Sequence, residues 1–416
     1  MKGMSIVSNL TPNDMDALFE QAKNRKNTEI NMDALADEPV AAPVEKVVDN
    51  TKRRHILVVG CGDGGCNIAA TIKRQIPNNA YCILYNTSAR AMEKHADIAE
   101  SVVLPKAEDG SGKDRTYSKD VFKRGSFKTL LAEVNAAIDS SAHEFDYIVV
   151  TSTTDGGTGG GVSPTVAKFL KDNTTIPVII IGVLPSLAED ATAQYNSLAW
   201  QADVEKTGCP HIIFDNNRYA AGSKLAMHLN VNQVIANTME VLTGVAYGDT
   251  LISAIDNRDM LMIIANAGKR VCIYTTQNKP RVTDTFDSFM MDLMNHAEQP
   301  MPKNATAIGI FVKGPKSFIE NVDVSLLQVR SEIGNAQMYT HIEESDDVRI
   351  SLIAAGCTAY DDRMYQMRQR YDDIIASANT DTVNASDVMV GMDNPFATRL
   401  TKKVLTEDVD TSALNL

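Results

Sequence analysis

The sequence predicts an α/β fold: a doubly wound parallel-sheet domain, a long connecting helix, a smaller α+β second domain and extended termini. Three observations predict it. Strand candidates 55–59, 80–85, 146–152, 177–183 and 211–214 are nearly continuous apolar runs, as expected of strands covered on both faces. Helical stretches such as 120–139 and 162–171 separate them, the alternation of a doubly wound sheet. Two of the strands run straight into glycine-rich turns that open helices, at the carboxyl ends where such sheets bind ligands.

Residues 1–52 form an extension. Thr11 and Pro12 suit a helix cap and first helical position ahead of the apolar Met15, Leu18 and Phe19, and 36–50 has the composition of a linker. A disordered arm and a helix that docks on a neighbouring subunit are equally consistent with this segment. The parallel-sheet domain spans 53–230. Its first strand leads into Gly60-Cys61-Gly62-Asp63-Gly64-Gly65-Cys66-Asn67, which satisfies the dinucleotide spacing G-x-G-x-x-G. That reading requires an acidic residue after the second strand, where Asn86-Thr87-Ser88 stands, so a Rossmann oxidoreductase is the weaker alternative. A second strand, 146–152, enters Asp155-Gly156-Gly157-Thr158-Gly159-Gly160-Gly161, five glycines around one threonine. Glycine lets backbone N–H groups approach an anion closely, and a helix opening near Val162, with Pro164 in its first turn, adds the positive end of its dipole. The segment is read as a phosphate-holding loop that needs no lysine.

A connecting segment, 231–255, carries a helix over about 231–242. From 256 to 376 the strand candidates 271–275, 305–312 and 348–355 alternate with helical stretches 284–297 and 315–334, giving the smaller α+β domain. Residues 377–416 hold few apolar residues in any period and read as a mobile acidic tail.

Composition removes several function classes. The chain has 416 residues, 44% of them hydrophobic, which is enough for two cored domains plus tails. A net charge of −13 argues against general nucleic-acid binding, which needs clustered lysine and arginine. No apolar run approaches the roughly 20 residues of a membrane span and no apolar signal core opens the chain, so a soluble cytoplasmic protein is expected. Six scattered cysteines and seven histidines show no ligand spacing, and no protein metal site is expected.

Taken together the motifs resemble the tubulin/FtsZ superfamily of GTP-dependent filament proteins, over about residues 53–365 and most of all its plasmid and bacteriophage branch, TubZ and PhuZ. The resemblance implies GTP or GDP as ligand. Its phosphates would be held by the segment Gly62, Asp63, Gly64, Gly65, Cys66 and Asn67, by Gly110 and Ser111, and by Gly156, Gly157, Thr158, Gly159 and Gly160. Asn86 follows the second strand, Glu189 takes the place of a ribose contact, Asn216 reads the guanine, and Asn232 is a second base contact. Asp256 and Asp259 resemble the D-x-x-D/E loop that completes the site of the next subunit, although the same spacing also caps a helix. The implied partner is a second copy, head to tail, with GTP hydrolysis activated by polymerisation. Moving or positioning phage or plasmid DNA or particles, through an adaptor on the C-terminal tail, is the implied use.

Departures matter equally. Asp155 and Gly160 replace the usual glycine and hydroxyl residue, and Ala254 stands where relatives often have asparagine. The substitutions at Asp155 and Gly160 suggest an alternative, a filament-binding protein that keeps the fold and GTP but hydrolyses it weakly. Asp63 and Asp155 put negative charge beside the expected phosphates, and Mg²⁺ is expected to screen them.

Overall fold

The computed structural model of the protein describes residues 53–95, 97–105, 110–219, 223–247, 251–253, 255–265, 269–276, 304–320, 336–358 and 361–388. The expected extension 1–52, Ala254, the helix 284–297, most of 315–334 and residues 389–416 of the tail lie outside them.

The first element among the described residues is strand β1 (Ile56–Cys61), which passes directly into α1 (Gly62–Gln75). β2 (Ala80–Tyr85), a 3-10 turn (Arg90–His95) and the short β3 (Ser101–Val103) follow. The helix expected over 120–139 is two helices, α2 (Arg115–Val121) and α3 (Phe127–Ser140). A π turn, Phe122–Ser126, joins them, because Gly125 leaves helical geometry at φ 162°. Next come β4 (Tyr147–Thr153), α4 (Gly157–Asn173), β5 (Val178–Leu184), α5 (Ala191–Thr207), β6 (His211–Asp215) and α6 (Lys224–Thr243).

The remainder comprises β7 (Leu251–Ser253), α7 (Asn257–Ala265), β8 (Arg270–Thr275), β9 (Ala307–Gly314), α8 (Lys316–Ile319), β10 (Gln337–Glu344), β11 (Arg349–Cys357) and α9 (Asp361–Val388). The described strands form one sheet in the order β3-β2-β1-β4-β5-β6-β8-β11-β9-β10-β7. From β3 to β6 every pairing is parallel, and His211 of β6 opposite Arg270 of β8 joins this half to the mixed remainder.

Continuous apolar strands are explained by cores on both faces. Along β1, Ile56 and Val58 join α1 and α6 on one face, while Leu57 and Val59 join α3, α4, α5 and α9 on the other. The first core continues into the second half through Met260, Ile263, Ile273, Phe311 and Ile353: α6 touches β6 and β8, one strand of each half, and α7 packs on β9 and β11.

Several expectations change in the structure. The glycine-loop helix opens at Gly157 rather than near Val162, which puts Pro164 inside it. Proline cannot donate to the carbonyl four residues earlier. That carbonyl, Gly160 O, accepts from Arg115 Nη2 at 3.3 Å instead. The connecting helix begins at Lys224, seven residues before the expected start. β10 was not expected: its Gln337-Met-Tyr-Thr-His-Ile-Glu-Glu is half-exposed for much of its length and lacks an apolar run. Finally α9 is helical to Val388, where a tail was expected from 377, and it buries Met364 and Met367 among β5, β6 and α5 residues of the first domain.

Candidate functional site

Two helix N-termini meet at the carboxyl edge of the parallel sheet. Cys61 precedes α1 and Gly156 precedes α4, and neither cap residue offers a side-chain acceptor to the first helical amides. The first four N–H groups of a helix have no partner within it, so both ends present donors with the positive pole of the dipole behind them. Gly62 fixes the two loops against each other. It sits at φ +72°, and a Cβ there would lie 2.6 Å from Gly159 N. Gly160 is equally confined: its Cβ would meet Thr154 O at 2.2 Å, which excludes the hydroxyl residue expected from relatives. The departure at Gly160 thus has a packing cause.

Thr158 is the hub of the pocket. Its Oγ1 lies 2.7 Å from Thr87 Oγ1 and donates to Ser111 Oγ at 3.2 Å, while Gly110 N donates to Thr87 O at 3.0 Å. The β2, 110–114 and 156–160 loops therefore converge on one hydroxyl cluster, and Thr87, 1% exposed, belongs to it. Asn196, in the second turn of α5, was not anticipated. Buried at 2% exposure, it donates from Nδ2 to Lys113 O at 3.0 Å and to Asp155 O at 2.9 Å, tying the segments around Lys113 and Asp155 together. No sequence signal separates it from any other helical asparagine.

Both suspect carboxylates stand beside lysines. Asp63 pairs with Lys94 at 2.7 Å, and both groups are about half exposed. Asp155 adds its charge to that of Asp190 around Lys113, whose ammonium lies 2.7 Å from Asp190. Burial opposes the Lys113 charge, yet the hydrogen bond and these carboxylates hold its pKa above the usual value; Asp190, likewise opposed by burial, is held below its own. In the chain alone the screening expected of Mg²⁺ thus falls to Lys94 and Lys113. Cys66 turns its thiol inward, within 3.5 Å of Gly60 O and 3.7 Å of Tyr85 O, and burial raises its pKa; its side chain is structural. Asn67 is half-buried and its carbonyl accepts from Thr71 Oγ1 at 2.8 Å.

Polar atoms without partners occur on the other candidate residues. Asn86 and Asn216 are 3% and 5% exposed, yet Asn86 Nδ2 and Asn216 Oδ1 have no partner among the described residues. Buried polar atoms in folded proteins are nearly always satisfied, so a donor and an acceptor left open at the carboxyl ends of β2 and β6 fit a polar ligand. Glu189 forms an ion pair with Lys224 at the start of α6, and Asn232 is half-buried on the third turn of that helix.

Asp256 and Asp259 are elsewhere. Asp259 N donates to Asp256 Oδ1 at 2.8 Å and Asp256 N to Asp259 Oδ2 at 3.2 Å, a reciprocal cap on α7. Arg54, just before β1, holds this corner through Nη2 to Asp256 O at 3.3 Å and Nη1 to Leu242 O at 3.4 Å. Asn257 Nδ2 reaches Asp146, just before β4, at 3.4 Å. The acidic pair therefore lies at the amino edge of the strands, opposite the glycine loops, and is solvent-facing: Asp256 is exposed and Asp259 partly so.

The model of the "Tubulin/FtsZ family, GTPase domain" matches residues 55–222. The chain is 32% identical over 158 residues to the tubulin-like protein CetZ1 of Haloferax volcanii, covering 36% of this chain and 40% of CetZ1. It is 26% identical over 158 residues to the tubulin-like protein TubZ of Clostridium botulinum C phage, covering 37% of this chain and 42% of that protein. These alignments span about two fifths of the relatives' own lengths. In structure, a GTPγS-form protofilament of Bacillus thuringiensis serovar israelensis TubZ superposes with a TM-score of 0.66 at 14% identity, covering 82% of this chain and 96% of that one.

Proposed function

We propose that this chain, whose residues 55–222 match the tubulin/FtsZ GTPase domain, is a member of that family that binds GTP at the carboxyl edge of its sheet and hydrolyses it when a second copy stacks head to tail. The observation that carries this reading is the separation of the two candidate half-sites. The six residues of β1 span about 20 Å, so the Asp256 and Asp259 carboxylates cannot reach the glycine loops of their own chain. Translation of one copy along the strands places the amino edge of one over the carboxyl edge of the next. Such a contact uses different surfaces on each copy and does not close, so repetition gives a filament.

The residues divide the work by position. Amides at the starts of α1 and α4 hold phosphate oxygens, and the hydroxyls of Thr158, Thr87 and Ser111 line the same pocket. Asn216 Oδ1 and Asn86 Nδ2 supply an acceptor and a donor for the nucleoside, and Glu189 and Asn232 lie on the adjoining segments. Bound GTP supplies the phosphoanhydride, and Mg²⁺ entering with it supplies counter-charge beyond that of Lys94 and Lys113. Asp256 and Asp259 of the neighbouring copy orient water and accept its proton, the role of a general base. Arg54 holds the Asp256 backbone in place for this.

Dynamic filaments of this kind serve, on our reading, to position or segregate phage or plasmid DNA or particles in a bacterial cytoplasm, with residues 389–416 recruiting an adaptor. The likeness to a phage TubZ supports that use. On this reading the domains are 53–223, a connecting segment 224–255 that begins with α6, and 256–360, with α9 packed on the first. The test is phosphate release per molecule as a function of protein concentration, with electron microscopy in parallel. A steep rise with concentration, accompanied by filaments, is expected; a flat rate with no polymer overturns the proposal.

A further inference from the structure

The last described helix reaches back to the two loops that would hold the nucleoside. Arg363 of α9, 3% exposed, donates from Nε to Asp215 Oδ2 at 2.7 Å and from Nη2 to Asp215 Oδ1 at 3.1 Å. Two parallel bonds between a planar guanidinium and a carboxylate fix the rotation of both groups as well as their distance. The same Nη2 donates to Pro185 O at 2.6 Å, and two turns further along α9 Arg370 Nε donates to Leu187 O at 3.0 Å. Asp215 Oδ1 also accepts from Asn217 N at 3.0 Å. Asn217 Oδ1 in turn accepts from Leu187 N at 3.3 Å and Ser186 Oγ at 3.4 Å. Segments 185–187 and 215–217 are thus bonded to each other and both to α9. Asn216 lies between the two anchored residues, and its buried Oδ1 has no partner.

This ion pair is a poor choice for stability alone. Removing two charges from water costs several kcal/mol per ion, and well-packed apolar residues of similar volume commonly do as well or better. What the pair adds is a fixed orientation for its neighbours. We propose that Arg363 is a positioning residue for nucleoside recognition: through Asp215 and the Pro185 carbonyl it sets the pose in which Asn216 meets the base. The inference rests on the reading of this site as a GTP site.

The experiment compares affinities of full-length protein for GTP, ATP and inorganic tripolyphosphate by calorimetric titration, in wild type, Arg363→Met and the double variant Asp215→Asn/Arg363→Met. The double variant leaves no buried unpaired charge, so it carries the test if the single variant does not fold. Losing one well-placed hydrogen bond to the base should weaken GTP by about tenfold. The GTP-to-ATP preference should fall with it, while tripolyphosphate stays within about twofold because the amides at Gly62 and Gly157 are untouched. A merely structural role would weaken GTP and tripolyphosphate in parallel or leave the GTP-to-ATP ratio unchanged, and either result overturns the inference. Absence of any GTP preference in wild type is a separate failure: it overturns the reading of the site itself.

Discussion

Replacing Asp256 by asparagine separates the two jobs that its carboxylate can do. In the single copy Asp256 Oδ1 accepts from Asp259 N at 2.8 Å and the return bond closes at 3.2 Å. Asparagine is as good a cap as aspartate and retains that acceptor, so Asp256→Asn should leave stability within a few tenths of a kcal/mol. Asp256→Ala removes the cap and should cost about 1 kcal/mol, a fall in melting temperature of about 2 °C for a domain this size. Loss of a general base, in contrast, slows a reaction by about 10²–10⁴-fold. The two variants should therefore differ slightly in melting temperature and both release phosphate about a hundredfold or more slowly than wild type. Filaments should form with GTP and persist longer, read by light scattering beside a phosphate-release assay. Wild-type hydrolysis by Asp256→Asn, with Asp256→Ala losing stability alone, would reduce the acidic pair to a helix cap and remove the chemical reason for head-to-tail stacking.

Gly62→Ala places a Cβ at φ +72° and 2.6 Å from Gly159 N; backbone strain alone costs about 1–2 kcal/mol, and GTP binding should be abolished in a protein whose circular dichroism remains native. Asn196→Ala strips the side-chain donor from the carbonyls of Lys113 and Asp155; it should destabilise by about 1–3 kcal/mol in chemical denaturation and weaken tripolyphosphate binding. His211 is fully buried and desolvation lowers its pKa from 6.5 to about 4. The unfolded chain then takes up this proton first, so the stability contribution is complete above pH 6.5 and is lost as pH falls toward 4. Between pH 7.5 and 5 the wild type should lose about 2 kcal/mol more than His211→Gln in urea unfolding; identical pH profiles would refute a neutral buried imidazole.

Much of the parallel half is legible in the sequence. Strands β1, β2, β4, β5 and β6 each fall within two residues of an apolar run, because a strand covered on both faces admits few polar residues. Both glycine loops were legible for a related reason: close approach of backbone to backbone leaves no room for a Cβ, so the requirement is written as residue type. β10 and α9 were not, since β10 is covered unevenly and α9 draws its burial from Met364, Met367 and Arg363 scattered over an otherwise polar helix.

The sequence alone determined the five apolar strands of the parallel half, the two glycine loops and the family resemblance, since these depend on local hydrophobic period and on glycine. Only the tertiary structure decided that Lys94 and Lys113 stand beside the suspect aspartates, that Asn196 and Arg363 brace the loops from distant helices, and that Asp256 and Asp259 sit at the far edge of the sheet. Those relations join residues up to 202 positions apart, and chain spacing carries no record of which charges a fold brings within bonding distance.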